Sequence, residues 1–541
     1  MSGRKIEAWC VCLDHFCHSN LAAVRLSRPT GGAAGRRLAW PKNPLPRAYT
    51  VLGNVLRGLA LFCTFYAIND AFGREIVGEA VRSEAPVSLR TVLECTHRLE
   101  SARGDRLPLY ILPISNALRG MNDEQAKEIL LQLAERGIGY TVSWNPKDRD
   151  ETLREGLRIA NIARRVGLPV AVDATACIDG FFDGNPATLH IDEQGRPFAD
   201  LSFDPGRKMG CPFALAGRVP VIRERVEFFL AGYAKAGVAI DFVFADWEID
   251  GPSEWNDAWS NSQKCQRCRS RIKGLSDFRQ FQRQVRAIRS ELQRKVFAQP
   301  VRSRFPGALV GNYGVYPHGG HRYWYDYYER IPQGAPFLTD QKARYREWAH
   351  EFDSCRYTMA MPVVYTWYPI YNWYDFSNTD YRWFYNGLLV GSNSGKRTKR
   401  TTPIVTFVHR NTTAPPSDAD PDVKPFSPEL YQELLWHLLL RGHDGFFLWC
   451  LTGELAEETR LVHQVYFASL VYREFLDQGA PVTFEVPKLP GSVVSGLRVG
   501  NRVLIRRTDF DFHAGSVRLK VGGHELEIPG GQKGCRVFTL P

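Results

Sequence analysis

From about residue 105 onward, short apolar runs alternate along the chain with longer amphipathic segments. Near-continuous apolar runs predict strands that are covered on both faces, because a strand with one face in water alternates apolar and polar residues. The runs that predict strands are Pro108–Pro113, Gly139–Ser143, Pro169–Asp173, Ile240–Asp246, Ala308–Asn312, Thr358–Tyr365, Pro403–Val408 and Gly445–Trp449. Strands that alternate with helices predict a parallel β/α architecture.

The segments between these strands have helical periodicity and recognisable helix ends. The Asn122-Asp-Glu-Gln125 stretch predicts a capped helix start, and Ser427-Pro428 places proline in a first helical turn. The predicted helices are 122–136, 150–165, 221–235, 276–297, 341–352, 381–389, 428–440 and 457–476. Eight strands, each followed by a helix, predict a (β/α)₈ TIM barrel with insertions. A doubly wound open sheet is the alternative, but it would not demand eight repeats.

The pattern of apolar and polar residues is different on either side of this β/α repeat. After about residue 480, short β-type runs separated by glycine-rich turns predict a small all-β domain resembling a β-sandwich. The predicted organisation is therefore a basic extension over 1–72, a lead-in over 73–104, the catalytic barrel over 105–478 and the small domain over 479–541.

The extension ends in an apolar run, Gly58-Leu-Ala-Leu-Phe-Cys-Thr-Phe-Tyr-Ala-Ile68. Such a run is too short to cross a bilayer, which takes about 20 residues, but it suffices for the core of a signal peptide. We therefore expect a secreted or periplasmic protein without a stable membrane span. The alternative is a short buried helix packed on the barrel.

Composition and charge narrow the function only slightly. Hydrophobic residues make up 44% of the chain and charged residues 23%, as in ordinary folded proteins. The net charge of +11 suits an acidic partner. The first 47 residues supply much of that charge, however, and the basic run Lys396–Arg400 is as well explained by a solvated loop. No nucleic-acid partner is therefore expected, and the oligomeric state is left open.

The cysteines are spread thinly, and only Cys265-Gln-Arg-Cys268 has a suggestive spacing. A structural zinc site normally needs two such pairs or matching histidines, and neither follows in the sequence. A local disulfide or a tight loop is the preferred interpretation, with zinc the minority one. Neither a cofactor nor a metal is predicted.

The chemistry is expected at the end of the fourth predicted strand, Ala245-Asp246-Trp247-Glu248, because reacting groups in such barrels lie at the carboxyl ends of strands. Residues two apart on a strand share a face. Asp246 and Glu248 are therefore expected to repel, so that one keeps its proton to higher pH, as a general acid must. The alternative is an acidic helix cap or an ion-paired surface turn.

Two carboxylates on one strand lie on the same side of a substrate, so the usual opposed pairing of a glycosidase is less natural for them. A substrate-assisted route fits better. Glu248 would protonate the leaving group while Asp246 steadies an acetamido group that attacks the anomeric carbon. Asp250 and Glu254 are candidates for a second carboxylate if that route is not used.

The stretch Asp241-Phe-Val-Phe-Ala-Asp246-Trp-Glu248 resembles the fourth-strand motif of chitinase-type glycoside hydrolases, Asp-x-x-Asp-x-Asp-x-Glu. It is also similar to the Asp-Trp-Glu of hyaluronidase-type enzymes, and Phe244 stands where the chitinase motif has its middle aspartate. The resemblance extends loosely to Tyr365, matching a tyrosine over the acetamido group, and to Trp449, matching a tryptophan floor for the sugar. It implies a retaining, acetamido-assisted hydrolase of an amino-sugar polymer.

Other predicted strand ends supply candidate substrate-binding groups, since aromatic rings stack on sugars and polar groups bind hydroxyls. They are Tyr365, Trp449, Trp367, Trp144, Asn312, Tyr313, Asp173 and His409. A packed loop core is the alternative interpretation of the aromatic stretches, and a lone strand-end histidine is as often structural. The leading hypothesis is a glycoside hydrolase acting on a polysaccharide or oligosaccharide. The alternative is a barrel that binds carbohydrate without cleaving it.

Overall fold

The computed structural model describes residues 84–178, 184–204, 207–247, 258–319, 321–322, 346–347, 350–366, 370–373, 376, 378–412, 415, 421–511, 515–531 and 533–541. The predicted basic extension, the beginning of the lead-in, Glu248, Asp250, Glu254 and Trp367 lie outside the described residues.

The structure has the α/β class that the hydrophobic pattern predicts. The strands are β1 (Leu109–Ile111), β2 (Ile138–Gly139), β3 (Thr141–Ser143), β4 (Ala171–Asp173), β5 (His190–Ile191), β6 (Pro197–Phe198), β7 (Asp200–Asp204), β8 (Arg207–Met209), β9 (Phe242–Ala245), β10 (Leu309–Asn312), β11 (His321–Arg322), β12 (Arg346–Glu347), β13 (Val363–Tyr365), β14 (Val405–His409), β15 (Gly445–Leu448), β16 (Ala480–Pro481), β17 (Ser492–Val499), β18 (Arg502–Asp509), β19 (Val517–Val521), β20 (His524–Ile528) and β21 (Cys535–Thr539).

The helices fall between the strands. They are α1 (Val87–Glu94), α2 (Asp123–Glu135), α3 (Arg149–Arg165), α4 (Thr175–Ile178), α5 (Val219–Lys235), α6 (Ala258–Lys264), α7 (Gln266–Arg271), α8 (Phe278–Gln293), α9 (Gln299–Arg304), α10 (Phe352–Cys355), α11 (Ile370–Trp373), α12 (Thr379–Arg397), α13 (Pro428–Leu439), α14 (Leu455–Ser469) and α15 (Arg473–Gln478). A π-helical segment, Arg294–Ala298, joins α8 to α9, and 3₁₀ turns cover 112–114, 212–218, 452–454 and 470–472.

Two parallel sheets form the centre of the molecule. One has the order β13-β14-β15-β1-β2 and the other the order β10-β9-β4-β3. β2 and β3 belong to different sheets although Tyr140 alone separates them, so one predicted strand contributes to both. All seven strand pairings within these two sheets are parallel, as connections through crossover helices require.

Aromatic side chains from both sheets pack against one another in a shared interior. The Tyr110 ring of β1 lies 4.4 Å from the Phe242 ring of β9. Phe244 of β9 lies 5.4 Å from Phe407 of β14 and 6.0 Å from Phe447 of β15. Rings at these separations make favourable contacts beyond the area that they bury. The two sheets therefore face a common apolar core.

Several predicted helix ends are confirmed by the local hydrogen bonds. Gln125 N–H donates to the Asn122 side chain at 3.0 Å, and Asn122 N–H donates back to the Gln125 side chain at 3.1 Å. This reciprocal pair is the capping box that the sequence predicts. Pro428 lies in the first turn of α13, after the N-cap residue Ser427.

Two helix predictions differ from the structure. The predicted helix over 341–352 is wrong at residues 346–347, which pair as β12 with the antiparallel β11; the described helix there is the single turn α10. The helix predicted over 381–389 is longer in the structure, where α12 begins at Thr379, after the N-cap residue Asn378, and ends at Arg397. Side-chain capping by Asn satisfies a backbone donor that would otherwise lack an intrahelical partner.

Two insertions extend from the core strands. The first insertion, residues 184–218, follows β4 and contains the hairpins β5–β6 and β7–β8. The second insertion, residues 258–277, follows β9 and contains α6 and α7. Most of their buried apolar side chains, together with Phe278, Phe281 and Val285 of α8, form a cluster separate from the main core, to which Met209 of the first insertion belongs.

Antiparallel strands close the described chain. The order β16-β17-β18-β21 forms one sheet, and β19 and β20 form a hairpin. Arg506 of β18 binds Glu433 of α13 through two nitrogens, at 2.8 Å and 2.6 Å. The fully buried Arg441 donates to Ser495 at 2.7 Å and to the Val494 carbonyl at 3.1 Å. The terminal sheet is thus fixed to the helical layer by charged hydrogen bonds.

Part of the predicted lead-in belongs to the main core, since Leu89, Val92 and Leu93 of α1 are buried in it. Among the described residues, no helix combines the length and the apolar character needed to cross a bilayer.

Candidate functional site at the strand ends

Asp173 and Asp246 lie at the carboxyl ends of two neighbouring parallel strands, β4 and β9. Thr175 connects them. Its backbone N–H donates to the Asp173 carboxylate at 2.7 Å, and its hydroxyl accepts the Asp246 backbone N–H at 2.8 Å. Asp173 is buried and Asp246 is partly exposed. The structure therefore brings these two predicted carboxylates to one edge of the sheet.

The backbone after Asp246 is held by buried polar groups. Trp247 N–H donates to the Asn312 side-chain oxygen at 2.9 Å, and Arg289 donates to the Trp247 carbonyl at 2.7 Å. The Asn312 amide donates onward to Gln293 at 3.2 Å, inside the molecule. Asn312, predicted to bind substrate, is thus buried and fixes the path of the chain leading into Glu248.

Four further predicted residues form a continuous group across the ends of β10, β13, β14 and β15. The rings of Tyr365 and Trp449 are stacked at 5.8 Å with 30° between their planes. His409 lies edge-on to both, at 6.0 Å and 5.0 Å. Tyr313 lies 6.1 Å from Tyr365. Trp449 is partly exposed while the other three are buried, so its ring is the one that this group presents at the surface.

Glu454 is a site residue that the sequence interpretation missed. Its carboxylate lies 2.9 Å from His409 Nε2, and its side chain is 37% exposed while that of His409 is fully buried. Burial raises the pKa of the Glu454 carboxyl, but the hydrogen bond and charge of His409, the Leu451 backbone N–H and the Arg410 charge together outweigh it and hold that pKa below its ordinary value. The turn Thr452–Glu454 that carries it follows β15 directly.

The neighbouring Glu458 differs in its electrostatics. Its side chain is almost fully buried and lies 3.5 Å from the Arg410 guanidinium. Burial raises the pKa of the Glu458 carboxyl. The Arg410 backbone N–H also donates to this carboxylate at 3.2 Å. Glu458 thereby fixes the loop after β14, next to His409.

Trp144 and Trp367 do not join this group in the described structure. Trp144 has no exposed surface, and its ring stacks on Phe229 of α5 at 5.1 Å with 4° between the planes. It packs a strand against a helix. Trp367 lies outside the described residues. Phe244, at the position where the chitinase motif has an aspartate, is fully buried in the aromatic core.

Four potential metal ligands come together elsewhere, between the two insertions. They are His190, Cys211, Cys265 and Cys268, all buried. Every described cysteine is a free thiol, so the local disulfide predicted between Cys265 and Cys268 is not formed in this structure. Cys211 and His190 went unnoticed in the sequence because neither has a partner at a recognisable spacing.

A cavity of about 410 Å³ lies at the opposite end of the strands and is lined by residues that precede β1, β2 and β4, among them Arg103, Glu135 and Gly167. Reacting groups of β/α proteins lie at the carboxyl ends of the strands. We therefore place the candidate site at Asp246, Tyr365, His409, Trp449 and Glu454, away from this cavity.

Comparison with known proteins adds no relative: no protein-family model matches the chain, and a search of curated proteins finds no similar sequence.

Proposed function

We propose that the two parallel sheets are parts of one (β/α)₈ barrel. The chain passes from one sheet to the other at Tyr140, between β2 and β3. The other two edge strands of the sheets are β10 and β13. Near them, Thr358 N–H donates to the Val310 carbonyl at 3.0 Å, and Met361 N–H donates to the Val315 carbonyl at 3.1 Å. The aromatic contacts between β9 and the strands β14 and β15 also suit a closed ring with a filled interior.

On this scaffold, the function that fits best is cleavage of a polysaccharide by a glycoside hydrolase, with amino-sugar polymers the first class to test. The observation that carries the proposal is the stacked pair Tyr365 and Trp449 at the same ends of the parallel strands as Asp246. A partly exposed indole offers a flat apolar face of the kind that packs on a sugar ring. Carboxylates supply the acid–base chemistry of glycoside cleavage.

Glu248 is the proposed general acid and Asp246 its helper. The partners of Trp247, Asn312 and Arg289, hold the backbone between these two residues. A fixed backbone is what an acid needs in order to stay within proton-transfer distance of a leaving group. Tyr365 and Trp449 would then shape the subsite beside the bond that is cut.

The test is turnover by Glu248→Gln on a panel of polysaccharides that the wild type cleaves. Loss of a general acid should lower kcat by about 10²-fold or more. Glu124→Gln, at a site where the carboxylate is 83% exposed on α2, is a matched control that should keep full activity. Undiminished turnover by Glu248→Gln would refute its assignment as the acid. Tight saccharide binding by the wild type with no product would instead favour the non-catalytic carbohydrate-binding function.

A further inference from the structure

The group His190, Cys211, Cys265 and Cys268 has the composition and the compactness of a metal centre. One ligand atom from each residue lies within 4.8 Å of every other. The Cys211 and Cys268 sulfurs are 3.6 Å apart. None of the four residues is more than 2% exposed. Three thiols and an imidazole are thus enclosed together, out of contact with solvent.

The spacing suits a tetrahedral ion better than a disulfide. Zinc–sulfur bonds of about 2.3 Å in a tetrahedron place the sulfurs about 3.8 Å from one another. A disulfide would require sulfurs at about 2.05 Å. Three cysteines with one histidine form a common ligand set of closed structural zinc sites, and soft sulfur ligands exclude magnesium and calcium.

The hydrogen bonds around the four ligands also favour a bound metal. The Nδ1 atom of His190 is buried and has no hydrogen-bond partner among the described residues. A buried polar atom of this kind is rare because it costs free energy, and a metal bound to the imidazole would provide the missing interaction. The Ile191 backbone N–H also approaches the Cys265 sulfur at 3.5 Å. Such donors stabilise sulfur ligands in their charged form.

The surroundings suit a site with net negative charge. Three thiolates around a divalent ion leave one negative charge, and α7, between and after the two cysteines, carries three arginines. Arg267 donates to the Leu189 carbonyl at 3.1 Å, beside His190. Arg271 lies over the Phe213 ring at 5.3 Å. These contacts keep positive charge next to the group while the arginines also join the two insertions.

The apolar cluster that packs the two insertions together is small, so a bound metal would add stability there. The two insertions pack on each other through few buried apolar residues, chiefly Trp259 of the second insertion with Phe278 and Phe281 of α8, and this cluster lies apart from the main core. Small apolar clusters stabilise a fold only weakly, and metals commonly supplement them. The four ligands come from both insertions, two from each.

We propose that His190, Cys211, Cys265 and Cys268 bind one zinc ion that joins the insertion after β4 to the insertion after β9. All four coordination positions are filled by the protein, so the role is structural. The zinc anchors the second insertion just downstream of Asp246. It is independent of whether the strand-end site hydrolyses glycans.

The experiment measures the zinc content of the full-length protein, purified without chelator, by elemental mass spectrometry. We expect about one zinc per chain in the wild type and less than about a tenth of that in Cys265→Ser and Cys268→Ser. Cys355→Ser removes a buried thiol outside the group and should retain the metal. A metal-free wild type, or undiminished zinc in Cys265→Ser, would overturn the proposal.

A second measurement does not depend on the variants folding. Wild type exchanged with cobalt should show the visible and near-ultraviolet absorption of a tetrahedral thiolate site, and added zinc should abolish it. Octahedral cobalt spectra would contradict the site. Alkylation of thiols in denaturant with chelator, followed by peptide mass spectrometry, should find Cys211, Cys265 and Cys268 reduced. A disulfide between any two of these three cysteines would overturn the zinc site.

Discussion

The side-chain oxygen of Asn312 accepts a hydrogen bond of 2.9 Å from the backbone N–H of Trp247. Both residues are fully buried. Through this bond, the end of β10 determines where the chain goes after β9. The relationship links a structural amide directly to the proposed catalytic segment, since Trp247 lies between Asp246 and Glu248.

Asn312→Ala should therefore reduce both stability and activity. It leaves the Trp247 N–H buried without its acceptor, a loss of about 1–3 kcal/mol in the free energy of unfolding. Urea unfolding measures that loss. Activity should fall mainly in kcat, because the acid is displaced while Trp449 remains in place. A variant that loses stability but keeps the wild-type kcat would show that Asn312 does not position the acid.

Trp449→Ala should weaken binding of saccharide more than it destabilises the fold. Its ring is partly exposed and stacks on Tyr365 at 5.8 Å. Aromatic stacking is worth about 0.5–1.5 kcal/mol beyond the buried area, so affinity should fall about two- to tenfold. Calorimetric titration with an oligosaccharide measures this. Trp436→Ala, which alters a buried ring on α13, is the contrast: it should lower stability and leave affinity unchanged.

The pair His409 and Glu454 should make stability depend on pH in the acid range. The folded pKa of the Glu454 carboxyl is lower than its ordinary value of 4.5. Its ionised form therefore contributes stability that is present above that value and is lost as the pH falls through the folded pKa. Urea unfolding between pH 7 and about pH 3 should show a smaller acid-induced loss for Glu454→Gln than for wild type. An unchanged pH dependence would exclude this carboxylate as a contributor.

Gly395→Ala should destabilise the contact between α12 and the turn that follows α13. A Cβ at this position would lie 2.2 Å from the Arg441 carbonyl oxygen, a backbone atom that cannot easily move. Overpacking of this kind costs about 1–3 kcal/mol, which exceeds the gain of up to about 1 kcal/mol that alanine usually brings within a helix. Gly307→Ala is a control without steric conflict, because Gly307 lies in a turn and no atom lies within 4 Å of its added Cβ. Thermal unfolding of both variants measures whether each substitution raises or lowers the stability of the protein.

Local signals in the sequence predicted local features well. The capping box at Asn122 and the proline start of α13 were readable because their partners lie within four residues. Apolar runs likewise predicted the core strands, since burial on both faces leaves few polar positions. The helix predicted across residues 346–347 failed because pairing with β11, a distant segment, overrides a local helical pattern.

The residues of the candidate site could be predicted only in part from the sequence. Asp246, Tyr365, His409 and Trp449 were identified from their places at strand ends, and Tyr365, His409 and Trp449 indeed lie in mutual contact. Trp144 also follows a predicted strand, but its ring packs against Phe229 of α5 and does not reach the candidate site. Its direction depends on the position of a helix that no local pattern specifies.

The sequence alone determined the α/β class, the order of the strands along the chain and the acidic segment at the end of the fourth predicted strand. Periodicity and side-chain type encode those features locally. Only the tertiary structure decided that Asn312 supports Trp247, that Glu454 meets His409, and that His190 and Cys211 join Cys265 and Cys268. These contacts join residues 21 or more positions apart in the sequence, and folding of the whole chain is what makes them neighbours.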